Sequence, residues 1–229
     1  YLPNWWADWA AVGVPSDDTQ LAFWTVESLL RQGCLDPADL AAGFAGSRIF
    51  GIGKSVTAFL LAYRGEGAPW YRAGRPSAGN GALMRIAPVL LPHLRPGSAV
   101  TLWKDVIAAT VLTHRDEAAA AASVGMVGVL AECMALVPSA SVATPASAPA
   151  PEWWPRTFLR YARAVETGAV YQARWPGGEF SGSLCDLVEQ RVLPAVAAGA
   201  NLLDADADAR SGAYLLETVP AVLLILARH

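Results

Sequence analysis

SDDTQLAFWTVESLLRQG, residues 16–33, carries two signals at once. Ala22, Val26, Leu29 and Leu30 fall on one helical stripe that Phe23 and Trp24 widen, and Gly33 follows as a helix stop. The same spacing recurs down the chain, whereas β-branched runs with period-two alternation are nearly absent. The fold is therefore expected to be all-α, a single compact helical bundle. Asp36 before Pro37 combines a capping side chain with a ring pre-set for the first helical position, and starts a short helix to about Ala45. Further helices are predicted near 54–63, 82–91, 99–112, 117–136, 153–166, 184–198 and 212–228.

A chain of 229 residues, 54% hydrophobic and 16% charged, can bury one sizeable core, so residues 1–229 read as one domain. The segment PSASVATPASAPAP, 138–151, has neither charge nor helical period and reads as a surface insertion. A net charge of -3 and a pI near 5.6 leave no footprint for nucleic acid, and a small-molecule partner fits better. Cys34, Cys133 and Cys185 are odd in number and lack CxxC spacing, which points to a cytoplasmic chain without a disulfide framework or zinc site. The most apolar stretch, 218–227, is about half the ~20 residues that span a bilayer, so no membrane partner is expected. The first residue is Tyr1 and the last follows an apolar run directly, so both ends are expected to be cut.

The second signal of residues 16–33 is chemical. Ser16 can cap the helix, and Asp17 and Asp18 in its first turn complement the positive end of the dipole. The same hydroxyl and paired carboxylates are hard oxygen donors of the kind Mg²⁺ takes. Spacing permits both accounts. In Ser77, Ala78, Gly79, Asn80, Gly81, two glycines around an Asn before a predicted helix allow close backbone approach and free N–H groups for a phosphate, with Arg72, Arg75 and Arg85 nearby. An ordinary capped turn explains the same residues. His114, in THRD at 113–116, is a lone histidine at a helix junction, where packing is the commoner role.

Two other motifs fail. Gly53, Lys54, Ser55 resembles the end of a P-loop, but the first glycine that motif needs falls at Arg48. Asp204, Asp206 and Asp208 imitate an EF-hand, yet its sixth and twelfth positions are Ala209 and Leu215.

Taken in order, SDDTQLAF (16–23), 51–60, SAGNGALMRIAP (77–88), THRD (113–116) and SGAYLLETVPAVL (211–223) resemble the ADP-ribosylglycohydrolase family. The resemblance implies an orthogonal all-α bundle that hydrolyses the bond between ADP-ribose and a protein side chain or small conjugate, using two Mg²⁺ ions or sometimes Mn²⁺. By the same resemblance Ser16, Asp17 and Asp18 match its metal motif, with Asp17 and Asp18 catalytic. Ser77, Gly79, Asn80, Gly81 and Arg85 match the loop that wraps pyrophosphate and ribose, His114 the TH motif beside the pocket, and Tyr214 an aromatic position at the adenosine end. The family's opening GDA segment and closing D-x-D-T motif are not in these residues, and Asp204, Asp206 and Asp208 precede the SGAY segment where the family's second pair follows it. Two further readings stand beside an active hydrolase: an ADP-ribose-binding pseudo-enzyme without the catalytic metals, and a helical scaffold without a ligand.

Overall fold

The computed structural model describes residues 15–94, 99–136, 149–174, 179–199 and 212–228. The Pro/Ala/Ser-rich insertion, apart from 149–151, and the acidic run at 204–208 lie outside them. The chain is all-α, as its spacing predicts. The helices are α1 (Asp17–Gln32), α2 (Pro37–Gly46), α3 (Lys54–Leu60), α4 (Trp70–Ala73), α5 (Ala99–Val111), α6 (Glu117–Leu136), α7 (Trp153–Ala162), α8 (Leu184–Leu187), α9 (Leu193–Ala197) and α10 (Leu215–Leu226). A two-residue hairpin, Tyr171–Gln172 against Ser181–Gly182, is the one sheet among the described residues.

Local chemistry sets the ends. Gly33 takes φ +71 and its N–H returns to Leu29 O at 2.8 Å, closing α1 in the left-handed conformation that glycine tolerates. Asp36 caps α2 by accepting from Ala38 N–H at 2.9 Å and Asp39 N–H at 3.3 Å. Several predicted helices change form. The stretch 82–91 is two 3₁₀ segments, Leu83–Arg85 and Ala87–Leu94, because Pro88 and Pro92 have no N–H to give an α-helical ladder. Helix α3 continues as a π-helical turn over Leu61–Gly65, and a second π-helical segment, Val188–Val192, joins α8 to α9. Helix α10 starts three residues later than predicted, since Tyr214 is extended and bridges to Gly79 of the glycine loop.

The core lies on both sides of α6. On one flank Ala118, Ala119, Ala121, Ala122 and Val129 pack with Phe158 of α7, Leu184, and Leu215 and Leu216 of α10. On the other, Val124 and Val127 join Leu21, Phe44, Phe59, Val106 and Leu112. Glycines bring α7 close: a Cβ at Gly125 would lie 2.5 Å from Phe158 Cε2, and one at Gly128 2.2 Å from Tyr161 Cδ2. Among the described residues Glu117–Ala135 is the one helix long and apolar enough to cross a membrane; the more apolar stretch 218–227 is too short. Helix α6 instead lies between two halves of a core, with α5 and α7 against it.

Candidate functional site

The first turn of α1 is fixed from outside the helix. Asp17 donates its N–H to Phe50 O at 2.7 Å, and Gln20 accepts from Phe50 N–H at 2.8 Å while donating to Arg48 O at 3.2 Å. The turn at 48–51, with Gly51 at φ +75, is thereby held across the helix start. Ser16 occupies the N-cap position, but its side chain makes no capping bond; its hydroxyl donates to Asp18 Oδ2 at 3.1 Å. The capping account of Ser16 is corrected on that point. Asp17 and Asp18 remain at the positive end of α1, and both line a cavity of about 700 Å³. Burial, then the neighbouring Asp18, pushes the Asp17 carboxyl above its usual range, with backbone N–H groups of Asp18, Asp17 and Gly53 opposing the rise.

The glycine loop forms the facing wall. Ser55 Oγ donates to Ser77 Oγ at 2.8 Å, tying the start of α3 to the loop, and Gly79 N–H donates to Ser77 Oγ at 3.2 Å. Asn80 N–H donates to Ala213 O at 2.8 Å, and Leu215 N–H to Ala78 O at 2.9 Å, which lays Tyr214 against the loop. The Asn80 amide donates to Thr218 Oγ1 at 3.3 Å. The loop's N–H groups are therefore not all free, contrary to the expectation: those of Gly79 and Asn80 hold the loop itself, while that of Gly81 has no acceptor among the described residues.

His114 explains Gly81, whereas the tightest neighbour of a Cβ at Gly79 is Ser77 Oγ at 3.2 Å. A Cβ at Gly81 would lie 2.8 Å from His114 Cε1 and 3.2 Å from its Nε2, and one at Gly79 3.5 Å from Nε2. The ring is buried, and burial followed by the positive charge of Arg85 lowers its pKa from 6.5 to about 4, so it is neutral at pH 7. Arg85 itself does not line the cavity. It is fully buried, stacks 4.9 Å from the Phe44 ring centroid, and donates from Nη2 to Ala109 O at 2.9 Å and Thr113 Oγ1 at 2.7 Å. Burial lowers its pKa to about 9, which leaves it cationic. Arg72 and Arg75 are also absent from the lining; Arg75 pairs by its backbone with Thr113 and Arg115. Asp116 caps α6, accepting from Ala118 N–H at 2.9 Å and from the Tyr171 hydroxyl at 2.8 Å.

The cavity thus gathers Asp17, Asp18, Ser77, Gly79, Asn80, Gly81, His114 and Tyr214, eight of the ten residues singled out in the sequence. Its volume lies within the range of small-molecule sites. Sequence reasoning assigned no role to Lys54, Ser55, Met84, Arg174 and Glu217, which also line it. Lys54 and Ser55 sit in the glycine-flanked segment rejected as a P-loop, and the same signal of glycines before a helix start marks a cavity wall here. Arg174 carries no motif. Its guanidinium lies 3.9 Å from the Tyr214 ring centroid, and the Tyr214 hydroxyl donates to Gln172 O at 3.2 Å.

Carboxylates on a helix start, a glycine loop and a buried neutral histidine around one cavity come from segments 16–23, 51–60, 77–88, 113–116 and 212–223. The sequence model of the ADP-ribosylglycohydrolase family matches the chain over residues 1–229. The chain belongs to the ADP-ribosylglycohydrolase family. It is also similar to the ADP-ribosyl-[dinitrogen reductase] glycohydrolase of Rhodospirillum rubrum, 32% identical over 105 residues, which is 44% of this chain and 35% of that relative. The match therefore spans about a third of the relative's length. The family's metal chemistry can be tested against the residues present. Asp17 and Asp18 are adjacent carboxylates whose mutual repulsion a cation relieves, and Ser16 adds a hydroxyl, so one side of a hard-cation shell fits. Among the described residues no group of three or more His, Cys, Asp or Glu converges on one point.

Proposed function

We propose that this chain removes ADP-ribose from a modified protein side chain or small conjugate by metal-assisted hydrolysis of the glycosidic bond. One observation carries the reading: the Asp17–Asp18 pair, the glycine loop, His114 and Tyr214, far apart in sequence, share one cavity. Ser16, Asp17 and Asp18 would hold Mg²⁺ or Mn²⁺ on their side, leaving part of the ion's shell to water. When bound there, such an ion would supply Lewis-acid chemistry, ordering ribose oxygens and polarising a water. The residues of the chain do the rest. The loop at 77–81, kept narrow by glycines, admits the pyrophosphate and ribose against its backbone, with the Gly81 N–H and the Arg174 charge available to anionic oxygens. Tyr214 bounds the adenosine end, and fixed contacts along the ligand hold the bond to be cut over the carboxylates.

A second reading, an ADP-ribose-binding protein without turnover, is favoured by one observation: no third acidic or histidine ligand joins Asp17 and Asp18 among the described residues. Calorimetric titration of the 229-residue chain with ADP-ribose, with and without Mg²⁺, separates the two when paired with chromatographic detection of ADP-ribose released from an ADP-ribosylated peptide. The hydrolase reading expects binding strengthened by Mg²⁺, with release lost in Asp17→Ala. Equal affinity without Mg²⁺ and no release favours the binding protein, and no binding under either condition sinks both readings for this chain.

A further inference from the structure

Arg85, Thr113 and His114 form a chain of buried groups in which the hydrogens shared between them can be assigned, while Arg85 Nε and Nη1 have no acceptor among the described residues. An arginine can only donate, so the 2.7 Å contact from Arg85 Nη2 makes Thr113 Oγ1 an acceptor. The hydroxyl has one hydrogen of its own, and its other partner is His114 Nδ1 at 2.8 Å. Thr113 is fully buried, so a hydrogen pointed anywhere else would lack an acceptor. Thr113 therefore donates to Nδ1, and Nδ1 carries no proton. A neutral imidazole with a bare Nδ1 has its proton on Nε2, and the depressed pKa keeps the ring neutral through pH 7. Nε2 lies on the ring edge that faces Gly79 and Gly81, on the cavity side, with no acceptor among the described residues.

We propose that Arg85 and Thr113 are positioning residues that fix His114 as the Nε2–H tautomer, so that it serves the cavity as a hydrogen-bond donor to a ligand oxygen and not as a general base. The acceptor is a phosphate or ribose oxygen; this half rests on the ADP-ribose reading, whereas the tautomer does not. The cationic Arg85 is essential to the device in two ways. It holds the hydroxyl in place through one of its two lone pairs, and its charge opposes a second proton on the ring.

The test is a ¹⁵N–¹H long-range correlation spectrum of the 229-residue chain at neutral pH, with the His114 signals assigned by loss in His114→Gln. A bare Nδ1 and a protonated Nε2 are expected. Thr113→Val, which removes the hydroxyl at nearly constant volume, should mix the two tautomers and weaken ADP-ribose binding about tenfold. Thr113→Ser should restore both. A protonated Nδ1 in the unsubstituted chain, or a Thr113→Val spectrum with the tautomer unchanged, overturns the relay. The first observation does not depend on Thr113→Val, so a Thr113→Val chain that fails to fold leaves the test intact. If the Nε2–H tautomer is found but the unsubstituted chain does not bind ADP-ribose, the relay stands and the ligand reading falls.

Discussion

Two carboxylates side by side repel unless a cation or a proton comes between them. Asp17 bears this cost, its carboxyl held above the ordinary range by burial and by Asp18. Removing the repulsion should therefore cost the fold nothing. Asp18→Asn is expected to leave thermal stability within about 0.5 kcal/mol of the parent, or slightly above it, while the effect of Mg²⁺ on ADP-ribose binding disappears. Thermal unfolding and calorimetry on the same sample check this, and a clear loss of stability would show that the pair is structural. Gly81 makes the opposite case. Gly81→Ala places a methyl 2.8 Å from His114 Cε1, and the ring, held at Nδ1 by Thr113, cannot step aside. A destabilisation of about 1–3 kcal/mol, with ADP-ribose affinity lost alongside it, is expected from chemical unfolding and titration.

Helix α6 shows where element-level reasoning succeeds and where it stops. Its limits, 117–136, are legible because Asp116 offers a cap and Ala-rich apolar sequence, interrupted only at Ser123 and Glu132 apart from the glycines, runs on to Leu136. Its neighbours are not legible, since a helix apolar on every side has no stripe to say what it faces. The glycines hold that information: Gly125 and Gly128 admit Phe158 and Tyr161 to backbone contact. In an isolated helix Gly128→Ala would gain about 1 kcal/mol from propensity. Here the new methyl meets the Tyr161 ring, which is fixed by a 2.7 Å hydrogen bond to Glu132 and a tilted contact with Trp103 at 5.1 Å. A net loss of about 1–2 kcal/mol is expected, read as a lower urea midpoint. The 3₁₀ form of 83–94 was open to the same local reasoning, because Pro88 stands in the predicted helix and Pro92 directly follows it. The π-helical turns and the 171–182 hairpin carry no comparable signal.

Across the molecule, the candidate site was legible where a motif is local and hidden where folding assembles it. Asp17 and the glycine loop announce themselves by composition and Tyr214 by the family resemblance of its segment, but Arg174 and Glu217 reach the cavity only through the packing of the hairpin and α10, and Arg85 is carried out of it by its burial against Phe44. The same assembly gives the whole fold a pH dependence. His114 is lowered from 6.5 to about 4 by burial and by Arg85. Between these values the unfolded chain takes a proton that the folded chain refuses, so stability falls as pH drops from about 6.5 and stops falling on this account below about 4. The loss is on the order of 3 kcal/mol. Glu117 extends the trend: burial opposes it, but hydrogen bonds from the Thr167 hydroxyl and the N–H groups of Gly168 and Ala169 lower it from 4.5 to about 2. Its stabilisation is complete above 4.5 and is lost as pH falls toward 2. Melting temperature followed from pH 8 to pH 3 should thus decline in two overlapping steps. His114→Gln should flatten the upper step and leave the lower one, whereas an unchanged upper step would mean that His114 is protonated in the folded chain near its ordinary pH.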